Sequence, residues 1–108
     1  MKQWKKLEWY VAEKFKDLGD KYARRTKGSG SGNENYDIYT TFPFAIECKQ
    51  RNTKNVTINI DVWNKNKANI PLNSDKLPLL VIQNKDKMTF AVLEIDDFFD
   101  ILKEKNEE

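Results

Sequence analysis

Phe44-Ala45-Ile46-Glu47-Cys48-Lys49 is an apolar run that closes by placing a carboxylate and an ammonium two residues apart. In a strand, alternate side chains share a face, so Glu47 and Lys49 project together while Ile46 and Cys48 point the other way. An acid and a base therefore stand side by side at the end of a strand that is otherwise suited to burial. Holding opposite charges against an apolar strand costs desolvation energy, which folding alone gives little reason to accept. A metal site is one reason to accept it, and a plain cross-strand ion pair is the other reading. The chain has no second Glu-x-Lys or Asp-x-Lys triplet although 33% of its residues are charged, so the pattern stands out from its background.

The 108 residues fit one compact domain, 1–108, able to bury roughly two thirds of its potential surface without staples. The lone Cys48 excludes a disulfide within these residues, and inside an apolar strand it reads as a small core residue. No apolar run approaches the roughly 20 residues that span a bilayer, and Met1–Lys6 is not followed by the apolar core of a signal sequence. The expected location is the cytoplasm, with no membrane partner. Histidine is absent, which removes Ser-His-Asp and Cys-His nucleophilic sites and His-ligated zinc. Acid, base or metal chemistry falls to carboxylates, lysine, tyrosine or water, and hard oxygen ligands favour Mg²⁺ or Mn²⁺.

The net charge of +2 conceals an asymmetry: residues 1–67 carry 14 Lys/Arg against 8 Asp/Glu, whereas residues 68–108 carry 5 against 9. The basic part contains the Glu-x-Lys strand. A cationic surround on a carboxylate cluster suits a polyanion, with nucleic acid the foremost candidate, while solvated lysine faces are the bland alternative.

Trp4, Leu7, Val11, Phe15 and Leu18 recur at helical spacing and Gly19 supplies a stop, so residues 3–18 read as an amphipathic helix. Glu8 falls on or beside the apolar stripe, where an acid needs a partner; Glu13 is the other glutamate of this helix. Residues 21–26 read as a short strand entering Lys27-Gly28-Ser29-Gly30-Ser31-Gly32-Asn33, a loop whose hydroxyls and amides suit phosphates and which Arg24, Arg25 and Lys27 flank. Without a Lys-Ser/Thr ending, this loop is not a nucleotide-binding P-loop.

Tyr36–Thr41 alternates as a strand, and Phe42-Pro43 turns it into Phe44–Lys49 as a hairpin. Antiparallel pairing then brings Asp37 beside Glu47. Residues 50–55 read as a polar loop, Val56–Ile60 as extended, and Asp61 as the cap of a helix to about Ala68 that carries Trp63, Lys65 and Lys67. Leu79–Ile82 reads as a strand buried on both faces, and Asn84–Lys87 as a turn into a strand at Met88–Leu93. Asp96 or Asp97 is expected to cap a final helix that packs through Phe98, Phe99, Ile101 and Leu102 and frays over Lys103–Glu108.

A helix glutamate (Glu8), a Gly/Ser loop, Asp37 ten residues before Glu47, and Glu47-x-Lys49 together resemble the PD-(D/E)xK nuclease superfamily. The short layout is most similar to archaeal-type and phage Holliday junction resolvases. Tyr36 stands where the superfamily name has proline. The resemblance implies an α/β fold: a restriction-endonuclease-like three-layer sandwich with a central mixed β-sheet flanked by helices. It further implies a Mg²⁺-dependent endonuclease, with Mn²⁺ able to substitute, acting as a homodimer on four-way junctions or other branched DNA. The setting would be the host-cell cytoplasm if the chain is phage-encoded.

By the same resemblance Glu8, Asp37, Glu47 and Lys49 are the catalytic set. Asp37, Glu47, the Cys48 main-chain carbonyl and Glu8 are its metal ligands. Arg24, Arg25, Lys27, Ser29, Ser31, Gln50, Arg51, Lys54, Lys65 and Lys67 form the expected DNA surface. A restriction or repair endonuclease of the superfamily and a non-catalytic DNA-binding module of the same fold are the alternative readings.

Overall fold

A computed structural model describes residues 3–26 and 36–107 of the chain. Its elements are α1 (Gln3–Asp17), β1 (Arg24–Arg25), β2 (Ile38–Tyr39), β3 (Phe44–Gln50), α2 (Ile60–Ala68), β4 (Leu77–Gln83), β5 (Thr89–Val92) and α3 (Ile95–Glu107). The five described strands lie in the order β1-β2-β3-β4-β5, antiparallel throughout except for the β3–β4 pair. Parallel neighbours need a crossover, and α2 supplies it.

The two faces of β3 and β4 bury different layers. Ile46, Cys48, Leu79 and Val81 pack with Ile38 beneath Leu7, Val11 and Ala12 of α1. Leu80 and Ile82 pack with Trp63 of α2. With a helix on each face of a mixed sheet, the architecture is the restriction-endonuclease-like α/β sandwich. Pro78 fits inside β4 because the Leu77 amide already bonds back toward β3, at the Pro43 carbonyl. By alternation the Pro78 nitrogen faces the side where β5 does not reach, since that pairing starts at Leu80.

Gly19, at φ 101°, ends α1 in a paired cap: its amide bonds the Lys16 carbonyl and the Asp20 amide bonds that of Phe15. The chain turns there, and Leu18, expected on the packing stripe, is 70% exposed. The cap delivers Asp20 into the fold. Its buried carboxylate accepts from the Thr40 hydroxyl at 2.6 Å, the Thr41 amide at 2.8 Å and the Tyr22 amide at 3.1 Å. These donors, the Thr40 hydroxyl foremost, hold its pKa below the ordinary carboxylate value. From the other side, the Lys76 ammonium donates to the Thr40 carbonyl at 3.0 Å, with the Phe42 and Phe44 carbonyls at 3.4 and 3.5 Å. The Phe42-Pro43 turn is thus gripped by an acid and a base, and burial pulls the Lys76 pKa down.

Several local expectations change. The cap of α2 is Asn59, whose side chain accepts from the Val62 amide, and Asp61 lies within the first turn. An Asn amide oxygen at that position caps as well as a carboxylate, so the signal is shifted by two residues. Strand β2 is shorter than the alternating run because bends follow Tyr39, where Thr40 and Thr41 turn onto Asp20. Asp96 and Asp97 sit inside the first turn of α3, which begins after Glu94 and remains helical through Glu107. Its expected packing face is largely open: Phe98, Phe99 and Leu102 are 42, 58 and 40% exposed and Ile101 is half-buried, while Ile95, one turn earlier, is 64% exposed.

Ile46 is fully buried opposite Ile38 and adjoins Glu47 in the chain. Truncating it to alanine should cost about 2–5 kcal/mol of unfolding free energy. Urea unfolding with an unchanged midpoint for Ile46→Ala would contradict this core.

Candidate active site

The β2–β3 register sets Ile38 against Ile46, which brings Asp37 to the level of Glu47. Backbone bonds hold Asp37 on both sides, its amide to the Ile46 carbonyl at 2.9 Å and its carbonyl from the Thr26 amide at 3.0 Å. Asp37 Oδ2 then accepts the Cys48 amide at 2.8 Å, filling the place of the next ladder bond. By strand alternation the Cys48 carbonyl turns to the same edge. Glu8 reaches this edge from α1, buried to 8% exposure, with Oε1 3.0 Å from Arg25 Nε. Lys49 follows Glu47 by two residues on the same face. Glu13 is directed elsewhere and pairs with Lys16 at 3.3 Å.

The charges act on one another. Burial foremost, then the negative charge of Asp37 and a hydrogen bond with it, raise the Glu47 pKa to about 8 against the opposing pull of Lys49. Burial also raises Glu8; its bond to Arg25 opposes that, and the Asp37 charge adds to it. Burial and the Glu47 charge raise the Tyr36 hydroxyl. The Cys48 thiol lies under α1 in the apolar layer, where burial pushes it far up, so the chemistry available from Cys48 is that of its main chain.

Asp37 and Glu47 are thus two hydrogen-bonded carboxyl groups in a partly buried corner, with the Cys48 carbonyl at the same edge. Such a pair fits a divalent cation, whose charge removes the mutual repulsion. Glu8 is drawn off to Arg25, and among the described residues no three acidic side chains close on a common point. The donors that fit are the Asp37 and Glu47 carboxylates and the Cys48 carbonyl, with Glu8 bordering them.

The expected DNA surface divides. Lys27, Ser29 and Ser31 lie outside the described residues. Arg24 and Arg25 leave β1 on opposite faces, Arg24 over the Tyr39 ring at 5.2 Å and Arg25 on Glu8. Arg51 is exposed and donates to the Gln50 carbonyl, and Lys54 lies in an exposed loop that Asn84 holds by its side-chain amide. On α2, Lys65 is exposed, whereas Lys67 pairs with Glu94 at 2.9 Å. The hold of Arg25 on Glu8 was missed from sequence; the signal was present in two adjacent arginines of a strand, which must face opposite ways.

A family model described as "Phage putative PDDEXK endonuclease" matches residues 4–108. The chain belongs to this family. As a PD-(D/E)xK endonuclease it is a nuclease, and such nucleases generally use divalent metals. The one Glu-x-Lys triplet of this family member lies on β3, beside the aspartate that immediately precedes β2. Comparison with curated proteins and with solved structures finds no match. Among the described residues no helix is long and apolar enough to cross a membrane.

A carboxyl whose pKa rises on folding binds more protons in the folded chain, so its contribution to stability is full below the unfolded pKa and is lost as pH rises. For Glu47 that loss runs from about 4.5 to about 8. In metal-free buffer, the melting temperature of Glu47→Gln minus that of the native chain should therefore grow steadily from pH 5 to pH 8. A difference flat in pH would show that Glu47 is not held protonated.

Proposed function

We propose that the chain is a Mg²⁺-dependent endonuclease that hydrolyses phosphodiester bonds in branched DNA, a Holliday junction resolvase acting as a homodimer, with Mn²⁺ able to replace Mg²⁺. The observation that carries the chemistry is the Asp37–Glu47 pair with Lys49 on the same face. Asp37, Glu47 and the Cys48 carbonyl would hold the cation, which when bound supplies Lewis-acid polarisation of the scissile phosphate. Lys49 would orient the attacking water and hold the negative charge that develops on the phosphoryl oxygens. Arg25 keeps the Glu8 carboxylate fixed at the border of the site, where it can orient water. Arg24, Arg51, Lys54 and Lys65 would meet the DNA backbone, and Gln50, beside Lys49, would assist.

Symmetric cutting of a four-way junction calls for a two-fold dimer. The apolar stripe of α3 supports one. Ile95, Phe98, Phe99 and Leu102 recur at one-turn spacing with Asp96 and Lys103 along one side. Antiparallel pairing of two such helices about a two-fold axis sets Asp96 of each against the other's Lys103, whereas parallel pairing sets like against like. The charge pattern therefore favours a second copy as the occupant. Phe98→Asp together with Phe99→Asp should halve the mass measured by light scattering; an unchanged dimer would remove α3 from the interface.

Lys49→Ala should lower the single-turnover cleavage rate by about 10²–10³ while DNA binding is nearly unchanged. Full retained cleavage would overturn this role. With Mg²⁺ present, paired symmetric nicks confined to a four-way junction support the resolvase, and equal cutting of linear duplex, flap and single strand reduces it to a general nuclease.

A further inference from the structure

At the β1 edge, outside the carboxylate cluster, an open groove of about 560 Å³ is lined by Lys16, Lys21, Tyr22, Ala23, Arg24 and Tyr39. Its polar lining is cationic and phenolic, with no acid. Packing explains little of this composition. Tyr22 is 60% exposed, and the Lys21 ammonium stands 5.2 Å from its ring, so the two present a charge and an aromatic face as one unit. The Arg24 guanidinium lies 5.2 Å from the Tyr39 ring, which also meets Lys76 at 5.6 Å. Lys16 is shared with Glu13 in an exposed pair of the kind that yields readily to a phosphate.

The groove is also placed to continue the path of a bound strand. Tyr39 of β2 follows Asp37 by two residues of extended chain, so both side chains leave the same face about 7 Å apart. Arg24 is registered directly opposite Tyr39. A backbone with one phosphate at the Asp37–Glu47 corner would thus meet Arg24 and then Tyr22 on its way out. Duplex DNA keeps its bases stacked inside and gives an exposed ring little to hold. An unpaired base offers its face, and cations interleaved with aromatic rings are the chemistry that binds single strands.

We infer that this groove binds a single DNA strand leaving the carboxylate site, such as one that opens at the branch point of the proposed substrate. The inference rests on the nuclease reading for its direction, not for its test. The full chain in EDTA is titrated into a fluorescein-labelled oligothymidylate and, separately, into a blunt duplex, with anisotropy as the readout. Tyr22→Ala with Lys21→Ala should weaken oligothymidylate binding about tenfold or more and leave duplex binding within about twofold, whereas Tyr22→Phe should bind as the native chain does. The slope of log affinity against log salt should fall by about 0.7 with the lost lysine.

Tyr22 makes its bond to Asp20 through the backbone, so the fold survives its truncation, and a thermal melt of the variant checks this. Oligothymidylate affinity indifferent to the double substitution would overturn the inference even if the chain cuts DNA normally. A chain that cuts no DNA but loses oligothymidylate binding on the double substitution would support the groove and overturn the nuclease reading.

Discussion

The antiparallel register of β2 on β3 is the constraint on which the site depends. Ile38 opposite Ile46 places one fully buried side chain against another beneath α1, and the same pairing turns Asp37 to Glu47 on the opposite face. A slip of β2 by one residue would turn its two faces over, taking Ile38 out of the core and driving Asp37 into the apolar layer, away from Glu47. The core and the site are therefore specified by one decision. The grip of Asp20 and Lys76 on the Phe42-Pro43 turn reinforces it, because this turn fixes where β3 begins relative to β2.

The site carries an electrostatic load that the fold opposes. Burial foremost, and then the negative charge of Asp37, raise the proton affinity of Glu47 and of Glu8. Arg25 relieves Glu8 and Lys49 relieves Glu47 in part, yet Glu47 remains shifted to about 8. Without a cation Glu47 is the group driven to hold a proton. This is the kind of tension that accompanies function, since replacing Glu47 by its neutral isostere would ease folding above its ordinary pKa while removing a hard oxygen donor.

Much of this was legible in the sequence because it rests on period. Helical spacing of Leu7, Val11 and Ala12, the continuous apolar run of β4, and the alternation in β3 each follow from which face is buried. The position of Asp37 beside Glu47 follows from hairpin geometry. The composition, lacking histidine, confined the chemistry to carboxylates and lysine. What could not be read were pairings across distant elements: Arg25 with Glu8, Asp20 with Thr40, Lys76 with the turn carbonyls. These depend on tertiary placement, as does the openness of α3, whose stripe is as apolar as that of a packed helix. Caps were displaced where a neighbouring residue competed, as Asn59 did with Asp61.

Proton release on cation binding tests the central claim most directly. If Glu47 beside Asp37 holds its proton up to about pH 8, a divalent cation must displace that proton to bind. Calorimetric titration with Mn²⁺ at pH 7, repeated in buffers of different ionisation enthalpy, should report close to one proton released per ion bound, with binding abolished in Asp37→Asn. Binding without proton release, or equal binding by the Asp37→Asn chain, would contradict the account.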